Sequence, residues 1–211
     1  MASNPTRVST HKTMTLDKTG QSRSSSDWTR DGALAPSVVV VTDSDPAVTD
    51  ELATVLRERY TVRSAYDDAD VLASLDADVS VILLDPELPG LSTREVRTRA
   101  RNEAAGCQVA ALTDERIDLA ATWFDDYLVK PVAHDHLVST VDRLSRRAEY
   151  RTALEVYYQT ASERATVTER DRRSELDDRL SQLDQHLNDI FRDLDGSDAY
   201  DAALRGFGFD S

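Results

Sequence analysis

Carboxylates, a hydroxyl and a lysine follow the predicted strands of this chain at the points where those strands end. Asp43 follows the apolar run that begins at Val38, and Asp85 follows a later apolar run. Thr113 and Lys130 stand at the ends of two further runs of the same kind. Because ligands of open parallel α/β sheets bind beyond the carboxyl ends of the strands, we expect these side chains to converge on one edge of a sheet.

The residue types in this set suit the transfer of a phosphoryl group. Two carboxylates about 4 to 5 Å apart repel each other by roughly 3 to 4 kcal/mol at an effective dielectric constant near 20, so the pair needs a cation. An all-oxygen site suits Mg²⁺, which keeps several waters and accepts one or two carboxylates together with a phosphate oxygen. Lys130 offers a compact positive charge and Thr113 offers a hydroxyl for a phosphoryl oxygen. Phosphoryl transfer depends mostly on positioning and charge neutralisation, and this set provides both.

Strand-like and helix-like stretches alternate between residues 37 and 147, which is the segment that must position these side chains. The predicted strands cover residues 38–41, 61–66, 79–84, 108–112 and 127–129, and the predicted helices cover 48–56, 69–75, 92–104, 115–124 and a last stretch from about 133. The third of these helices opens with Ser-Thr-Arg-Glu, a capping-box signature. Five strand–helix units in alternation predict an α/β fold with a doubly wound parallel sheet.

The segments on either side of this predicted domain have a different character. Residues 1–36 are rich in Ser and Thr with few large apolar residues, so we expect a disordered tail. Residues 148–211 are highly charged and predicted to be helical, with a break at Gly196 and a short helical piece after it. An apolar seam runs through this segment at alternating steps of four and three residues: Leu176, Leu180, Leu183, Leu187, Ile190 and Leu194. The seam fits equally a coiled coil that joins two copies of the chain and a helix that packs on its own neighbour.

Composition narrows the classes of function. The 211 residues carry 39 Asp and Glu against 25 Lys and Arg, for a formal net charge of -14, which argues against nonspecific binding of nucleic acid. Lysine occurs only three times, a bias that resembles proteins of microbes with molar salt in the cytoplasm. Cys107 is the single cysteine, so no intramolecular disulfide can form. No apolar run reaches the roughly 18 to 20 residues that a bilayer-spanning helix needs, and no signal-peptide core is evident, so we expect a cytoplasmic protein without a membrane contact.

Four motifs together resemble the receiver domain of response regulators. They are Val-Val-Thr-Asp-Ser-Asp-Pro, Leu-Leu-Asp-Pro-Glu-Leu-Pro-Gly, Leu-Thr-Asp and Tyr-Leu-Val-Lys-Pro-Val, in this order over about 110 residues. The resemblance implies a flavodoxin-like five-stranded sheet, a sensor histidine kinase as phosphodonor, and no enzymatic turnover. It implies that Asp85 is the phosphoacceptor, that Thr113 and Tyr127 are switch residues, and that Lys130 and Thr113 bind the phosphoryl group. It further implies a cis bond before Pro131 and Mg²⁺ bound by Asp43, Asp85 and the backbone carbonyl of Glu87.

This sequence departs from the receiver pattern at one position. The family usually has two adjacent acids after the first strand, and the second of them falls on Ser44 here. Ser44 is a neutral and weaker ligand, so we predict weak binding of Mg²⁺, with Asp45 as a further candidate ligand. The same departure leaves open an alternative, a pseudo-receiver that binds a partner without being phosphorylated.

The C-terminal segment resembles the HalX domain that follows receivers in halophilic archaea. The resemblance rests on the Arg-Ala-Glu-Tyr stretch that starts at Arg147 and on the acidic helical pattern after it. From Glu149 to Asp210 the chain has 15 acidic residues against eight arginines, and no basic recognition helix is evident. We therefore expect a helical interaction or dimerisation module and not direct binding of DNA.

Overall fold

The structure is a computed structural model that describes residues 37–104 and 106–194. The predicted disordered tail over residues 1–36 lies outside the described residues. The same holds for the predicted helix break at Gly196 and the short helical piece after it. Among the helices that the structure describes, none is long and apolar enough to cross a membrane.

A five-stranded parallel sheet forms the centre of the described chain, with the strand order β2-β1-β3-β4-β5. The strands are β1 Val38–Thr42, β2 Thr61–Ser64, β3 Val79–Leu84, β4 Gln108–Thr113 and β5 Asp126–Val129. This order is that of the flavodoxin-like sheets, in which the order of the strands reverses between β1 and β3. The predicted fold class is confirmed.

Helices connect most of the strands and continue the chain beyond β5. They are α1 Pro46–Leu56, α2 Asp68–Ala73, α3 Thr93–Glu103, α4 His134–Thr166 and α5 Arg170–Asp193. The side chains of Asp45, Asp67 and Ser92 each accept a hydrogen bond from a backbone amide in the first turn of α1, α2 and α3. Such caps satisfy amides that have no partner within the helix, and the cap at Ser92 is the one that the sequence predicts.

β1 is an inner strand of the sheet, and its sequence is apolar on both faces. All five of its residues are buried. Val39 and Val41 belong to a core cluster with side chains of α1 and α4, whereas Val38 and Val40 belong to a cluster with side chains of α2 and α3. A strand covered on both faces is expected to show a continuous apolar run, and this run made β1 predictable.

The predicted helix over residues 115–124 is wrong, because this stretch contains only a single 3-10 turn, Leu119–Ala121. The Asp118 carboxylate accepts the backbone amide two residues further on and so caps this short turn. At the far end, the amide and the carboxylate of Asp125 both bond the backbone of Val109, each at 2.8 Å. Because starting a short helix is unfavourable, the two bonds between Asp125 and Val109 prevail over helix formation here.

α4 and α5 pack side by side in opposite directions. Arg164 and Asp177 form an ion pair of 2.7 Å near the connecting turn, and His186 and Glu149 lie 3.2 Å apart further along. The apolar seam of α5 packs on α4 of the same chain: Leu176, Leu183, Ile190 and Leu194 are buried, and Ile190 and Leu194 form a cluster with Ala153. The described structure therefore uses the seam within one chain.

α4 joins the sheet and the C-terminal hairpin without a break. The predicted boundary between residues 147 and 148 falls inside this 33-residue helix. Leu137, Val141 and Leu144 pack against the sheet, and the same helix then continues to its contacts with α5. Gly106, in the loop before β4, lies close against the middle of this helix, where an added Cβ would meet Thr152 Oγ1 at 2.5 Å.

Candidate functional site

Asp43, Asp85 and Lys130 meet at the carboxyl edge of the sheet. Thr42 and Leu84 are register partners in the paired strands β1 and β3, so the two aspartates that follow them emerge side by side. Lys130 follows β5, and its Nζ lies 3.1 Å from Asp43 Oδ2 and 3.2 Å from Asp85 Oδ2. Both carboxylates are only 2% exposed, so the ammonium neutralises charge that water reaches poorly.

The Asp85 carboxylate is held by hydrogen-bond donors on both oxygens. Oδ2 accepts the Ser44 hydroxyl at 2.7 Å, the Ser44 amide at 3.1 Å and the Lys130 ammonium at 3.2 Å. Oδ1 accepts the amide of Glu87 at 2.8 Å. These donors fix the orientation of the carboxylate at the mouth of the site.

The ionisation of the site follows from competition between burial and hydrogen bonding. Burial disfavours the charge on Asp85, but the bonds from the Ser44 hydroxyl, the Glu87 and Ser44 amides and Lys130 outweigh it and lower the pKa of Asp85 below its ordinary 3.8. Burial likewise disfavours the charge on Lys130, but its bonds to Asp43 and Asp85 raise the pKa of Lys130 above 10.5. Asp85 is therefore a carboxylate and Lys130 an ammonium at neutral pH.

Asp43 is oriented by groups of the loop and of α1. Its Oδ1 accepts the amide of Asp45 at 2.9 Å, and its own amide donates to the hydroxyl of Thr49 at 2.9 Å. Thr49 is fully buried and was missed by the sequence reasoning, in which only the larger apolar residues of α1 marked its inner face. The helical spacing could have revealed it, because Thr49 precedes Leu52 by three residues and therefore lies on the same face of α1.

Thr113 ends β4 and Tyr127 lies in β5, and within the described residues neither side chain bonds Asp43, Asp85 or Lys130. The Thr113 hydroxyl accepts the amide of Glu115 at 3.3 Å, and its carbonyl accepts the amide of Lys130 at 2.8 Å. Within the described residues, Thr113 makes no hydrogen bond to Asp43 or Asp85. Tyr127 is half-buried and packs against the core cluster on the side of α2 and α3.

The remaining predicted site residues occupy the surrounding loops. The Asp45 carboxylate accepts the amide of Ala47 at 2.9 Å and so caps α1. Glu87 is exposed and touches Asp85 through its amide. The Lys130–Pro131 peptide bond is cis, as the resemblance implies. An open cleft of about 410 Å³ beside these residues is lined by Asp43, Ser44, Asp45, Glu51, Asp114 and Lys130, among others.

The donor set at this edge fits a hard divalent cation that keeps several waters. The carboxylates of Asp43 and Asp85 both contact Lys130 and therefore lie close together. Oxygen is the ligand atom that Mg²⁺ prefers. In the part of the chain that the structure describes, no group of three or more His, Cys, Asp or Glu side chains could hold a metal ion. A cation here would therefore depend on two carboxylates, main-chain oxygen and water.

Comparisons with known proteins agree with this geometry. Residues 39–142 match the family model described as the response regulator receiver domain. A protein of Haloferax volcanii named as a transcriptional regulator is 33% identical over 140 residues, which cover 65% of this chain and 24% of the relative. The transcriptional regulatory protein TcrA of Mycobacterium tuberculosis is 34% identical over 116 residues, 52% of this chain and 46% of the relative. The chain thus spans about a quarter and just under half of the lengths of these relatives.

Two solved structures support the fold. The adenylate cyclase from Rhodopirellula baltica is similar with a TM-score of 0.52 at 18% identity, over 59% of this chain and 98% of that one. The signal receiver domain of a Luxo repressor protein from Vibrio parahaemolyticus is similar with a TM-score of 0.50 at 19% identity, over 58% and 98%. The family match, the strand order and the convergence of Asp43, Asp85 and Lys130 agree with one another: residues 39–142 of this chain match the response regulator receiver domain in sequence and in fold.

Proposed function

We propose that this chain is a response regulator that receives a phosphoryl group on Asp85 from a sensor histidine kinase. The observation that carries the proposal is the buried Asp85 carboxylate, oriented by four donors and paired with Lys130 at the open edge of the sheet. A carboxylate oxygen attacks the phosphorus of the phosphohistidine. The new O–P bond forms as the P–N bond breaks, and the electron pair of that bond stays on the imidazole nitrogen.

The neighbouring residues take the roles that this transfer requires. Lys130 neutralises charge on the incoming phosphoryl oxygens, and the Thr113 hydroxyl turns from Glu115 to bond one of them, with the Tyr127 ring following inward. Asp43, Asp85 and the carbonyl of Glu87 would hold Mg²⁺, and Asp45 would reach it only by leaving its cap on α1. The bound cation supplies further neutralisation of the phosphoryl charge.

Chemical phosphorylation tests the assignment of Asp85. Acetyl phosphate and Mg²⁺ should label the full chain with one base-labile acyl phosphate, and Asp85→Asn should abolish the label. Glu51→Gln is the matched control, since it removes an exposed acid of the same cleft that has no part in the proposed transfer. Label that persists in Asp85→Asn, or is lost equally in both variants, contradicts the assignment.

A pseudo-receiver that acts without phosphorylation is the second candidate. It is favoured by one observation: Ser44 stands where receivers usually carry an acid and donates two hydrogen bonds to Asp85 Oδ2. This candidate predicts no acyl phosphate at any concentration of Mg²⁺, and labelling that appears only in Ser44→Asp.

The output end is proposed to be a HalX-like helical module that binds a protein partner or a second copy of the chain. Two relatives are named as transcriptional regulators, and we propose that this chain acts in the same kind of process through a protein contact, without enzymatic turnover. The acidic composition after Glu149 supports a protein partner more than direct contact with DNA. Sedimentation with and without acetyl phosphate, on wild type and Asp85→Asn, tests whether a phosphorylation-dependent dimer forms.

A further inference from the structure

We propose that Ser44 is a positioning residue that holds the Asp85 carboxylate in place when no divalent cation is bound. This inference rests on the proposed function of Asp85, and it concerns how the site stays assembled between phosphorylation events. Ser44 donates to a single oxygen of Asp85 twice, through its hydroxyl at 2.7 Å and its amide at 3.1 Å. The hydroxyl bond is the shorter of the two and is the part that depends on the side chain.

A hydroxyl can do at this position what a carboxylate cannot. An ionised Asp only accepts hydrogen bonds, so it would repel Asp85, and Asp43, Asp85 and a third acid would then share one lysine. A serine hydroxyl donates, and it leaves the site with two negative charges and the positive charge of Lys130. Ser44 therefore replaces an electrostatic requirement for a cation with a hydrogen bond inside the chain.

The same bond puts Ser44 in competition with an incoming cation. Asp85 Oδ2 already accepts three donors, whereas Oδ1 accepts only the Glu87 amide. Asp43 and Asp85 both direct Oδ2 towards Lys130, so a cation shared by the two carboxylates would compete with the Ser44 hydroxyl for Asp85 Oδ2. Ser44 would therefore stabilise the metal-free site and, through the same bond, weaken the binding of Mg²⁺. The two effects share one cause and should change together when the hydroxyl is removed.

Thermal unfolding and Mg²⁺ titration calorimetry of the full chain test this coupling at constant ionic strength. Ser44→Ala should lower the unfolding midpoint in a chelator by about 3 °C or more, as expected for loss of a hydrogen bond to a charged group. The same variant should bind Mg²⁺ about threefold more tightly, because a competing donor is gone. Ser44→Thr keeps the hydroxyl and should match the wild type in both measurements. Ser181→Ala is the control, since Ser181 is exposed and its hydroxyl bonds only the preceding turn of its own helix.

Ser44→Asp provides the opposite arm of the test. It should have the lowest midpoint in a chelator and about tenfold tighter Mg²⁺ binding than the wild type, because a third carboxylate both repels and coordinates. Three results would overturn the proposal: Ser44→Ala as stable as Ser181→Ala in a chelator, a less stable Ser44→Ala whose Mg²⁺ affinity is not raised, or a Ser44→Thr that behaves like Ser44→Ala. None of these measurements involves phosphoryl transfer, so a failure of Asp85 to be labelled is a separate outcome.

Discussion

Lys130 is the residue on which the two buried carboxylates depend. Its ammonium lies within 3.2 Å of both Asp43 and Asp85, and its side chain is only 18% exposed. Lys130→Met leaves two uncompensated acids side by side and should lower the free energy of unfolding by about 3 kcal/mol, since removal of one partner of a buried ion pair is strongly destabilising. Urea unfolding at pH 7 measures the loss. Arg99→Met, which breaks the exposed pair with Glu103, is the control and should change stability by less than about 0.5 kcal/mol.

The lowered pKa of Asp85 predicts how the stability of the fold changes with pH. Its pKa is lower in the folded chain than its ordinary 3.8, so the folded state holds its proton less readily than the unfolded state. The resulting stabilisation is present above the unfolded pKa and is lost as pH falls through the lower folded pKa. The stability of the wild type relative to Asp85→Asn should therefore decrease as pH is lowered below about 4. Urea unfolding of both proteins from pH 7 to pH 3 checks this prediction. It is contradicted if the wild type becomes more stable relative to Asp85→Asn as the pH falls.

The site residues differ in how far the sequence could reveal them. Asp43, Asp85 and Lys130 could be predicted because each directly follows a strand, and parallel strands place their carboxyl ends at one edge. The two hydrogen bonds from Ser44 to Asp85 could not be predicted, because they depend on the conformation of a loop and on the direction of a hydroxyl within it. The sequence suggested only that Ser44 is a poor metal ligand, whereas the structure shows it as a donor.

The same contrast holds for the secondary-structure elements. β1 and β3 were predictable because a central parallel strand must be apolar on both faces. The stretch over residues 115–124 was predicted as a helix in the alternation of strand-like and helix-like stretches, but the bonds of Asp125 to Val109 connect residues far apart in sequence. A local sequence pattern carries no signal of such a contact.

Gly106 links the loop before β4 to α4 and gives a prediction for this contact. Its φ is +83°, and an added Cβ would lie 2.5 Å from Thr152 Oγ1 and 3.0 Å from the backbone carbonyl oxygen of Ala148. Gly106→Ala should therefore lower the free energy of unfolding by about 2 to 3 kcal/mol, through backbone strain together with displacement of α4. Chemical denaturation measures the change.

Gly90→Ala is the matched control for this prediction. Gly90 has nearly the same φ, +82°, but an added Cβ would stand 3.4 Å from the nearest atom, in the Asp68 side chain. Only the backbone strain of a non-glycine residue at positive φ remains, so we expect the free energy of unfolding to fall by about 1 kcal/mol. Equal decreases in the free energy of unfolding for the two variants would show that steric contact with α4 does not contribute at Gly106.

The α5 seam gives a second prediction at this scale. Leu183 is 5% exposed and belongs to the seam that packs on α4, whereas Phe191 on the same helix is 48% exposed. Leu183→Ala should destabilise the hairpin by about 2 to 4 kcal/mol. Phe191→Ala should cost about 1 kcal/mol, since its half-exposed ring makes an aromatic contact with Tyr150. Hydrogen exchange of α5 amides measures this local stability. If Leu183→Ala instead dissociates a dimer without changing exchange in the diluted monomer, the seam joins two chains and not one.

Over the whole molecule, the acidic residues set the dependence of stability on salt. The formal net charge of -14 arises from 39 acids against 25 bases, and compaction on folding brings these like charges together. The exposed ion pairs, such as Arg172 with Glu163, contribute little and weaken as salt rises. Net repulsion therefore outweighs pairing, and screening should favour the folded state, since the Debye length falls from about 10 Å at 0.1 M salt to about 3 Å at 1 M.

The expected result is a urea midpoint that rises steadily from 0.1 M to 2 M KCl. KCl is the suitable salt because its effect on apolar burial is weaker than that of sulfate or phosphate, which would stabilise any protein. The urea midpoints of the wild type and of Lys130→Met should rise by the same amount if the salt effect comes from the whole surface. The midpoint of Lys130→Met should rise more if salt also screens Asp43 from Asp85. A midpoint that falls with KCl would mean that ion pairs such as Arg164–Asp177 dominate the electrostatics of the fold. The acidic composition would then require an explanation other than tolerance of high salt.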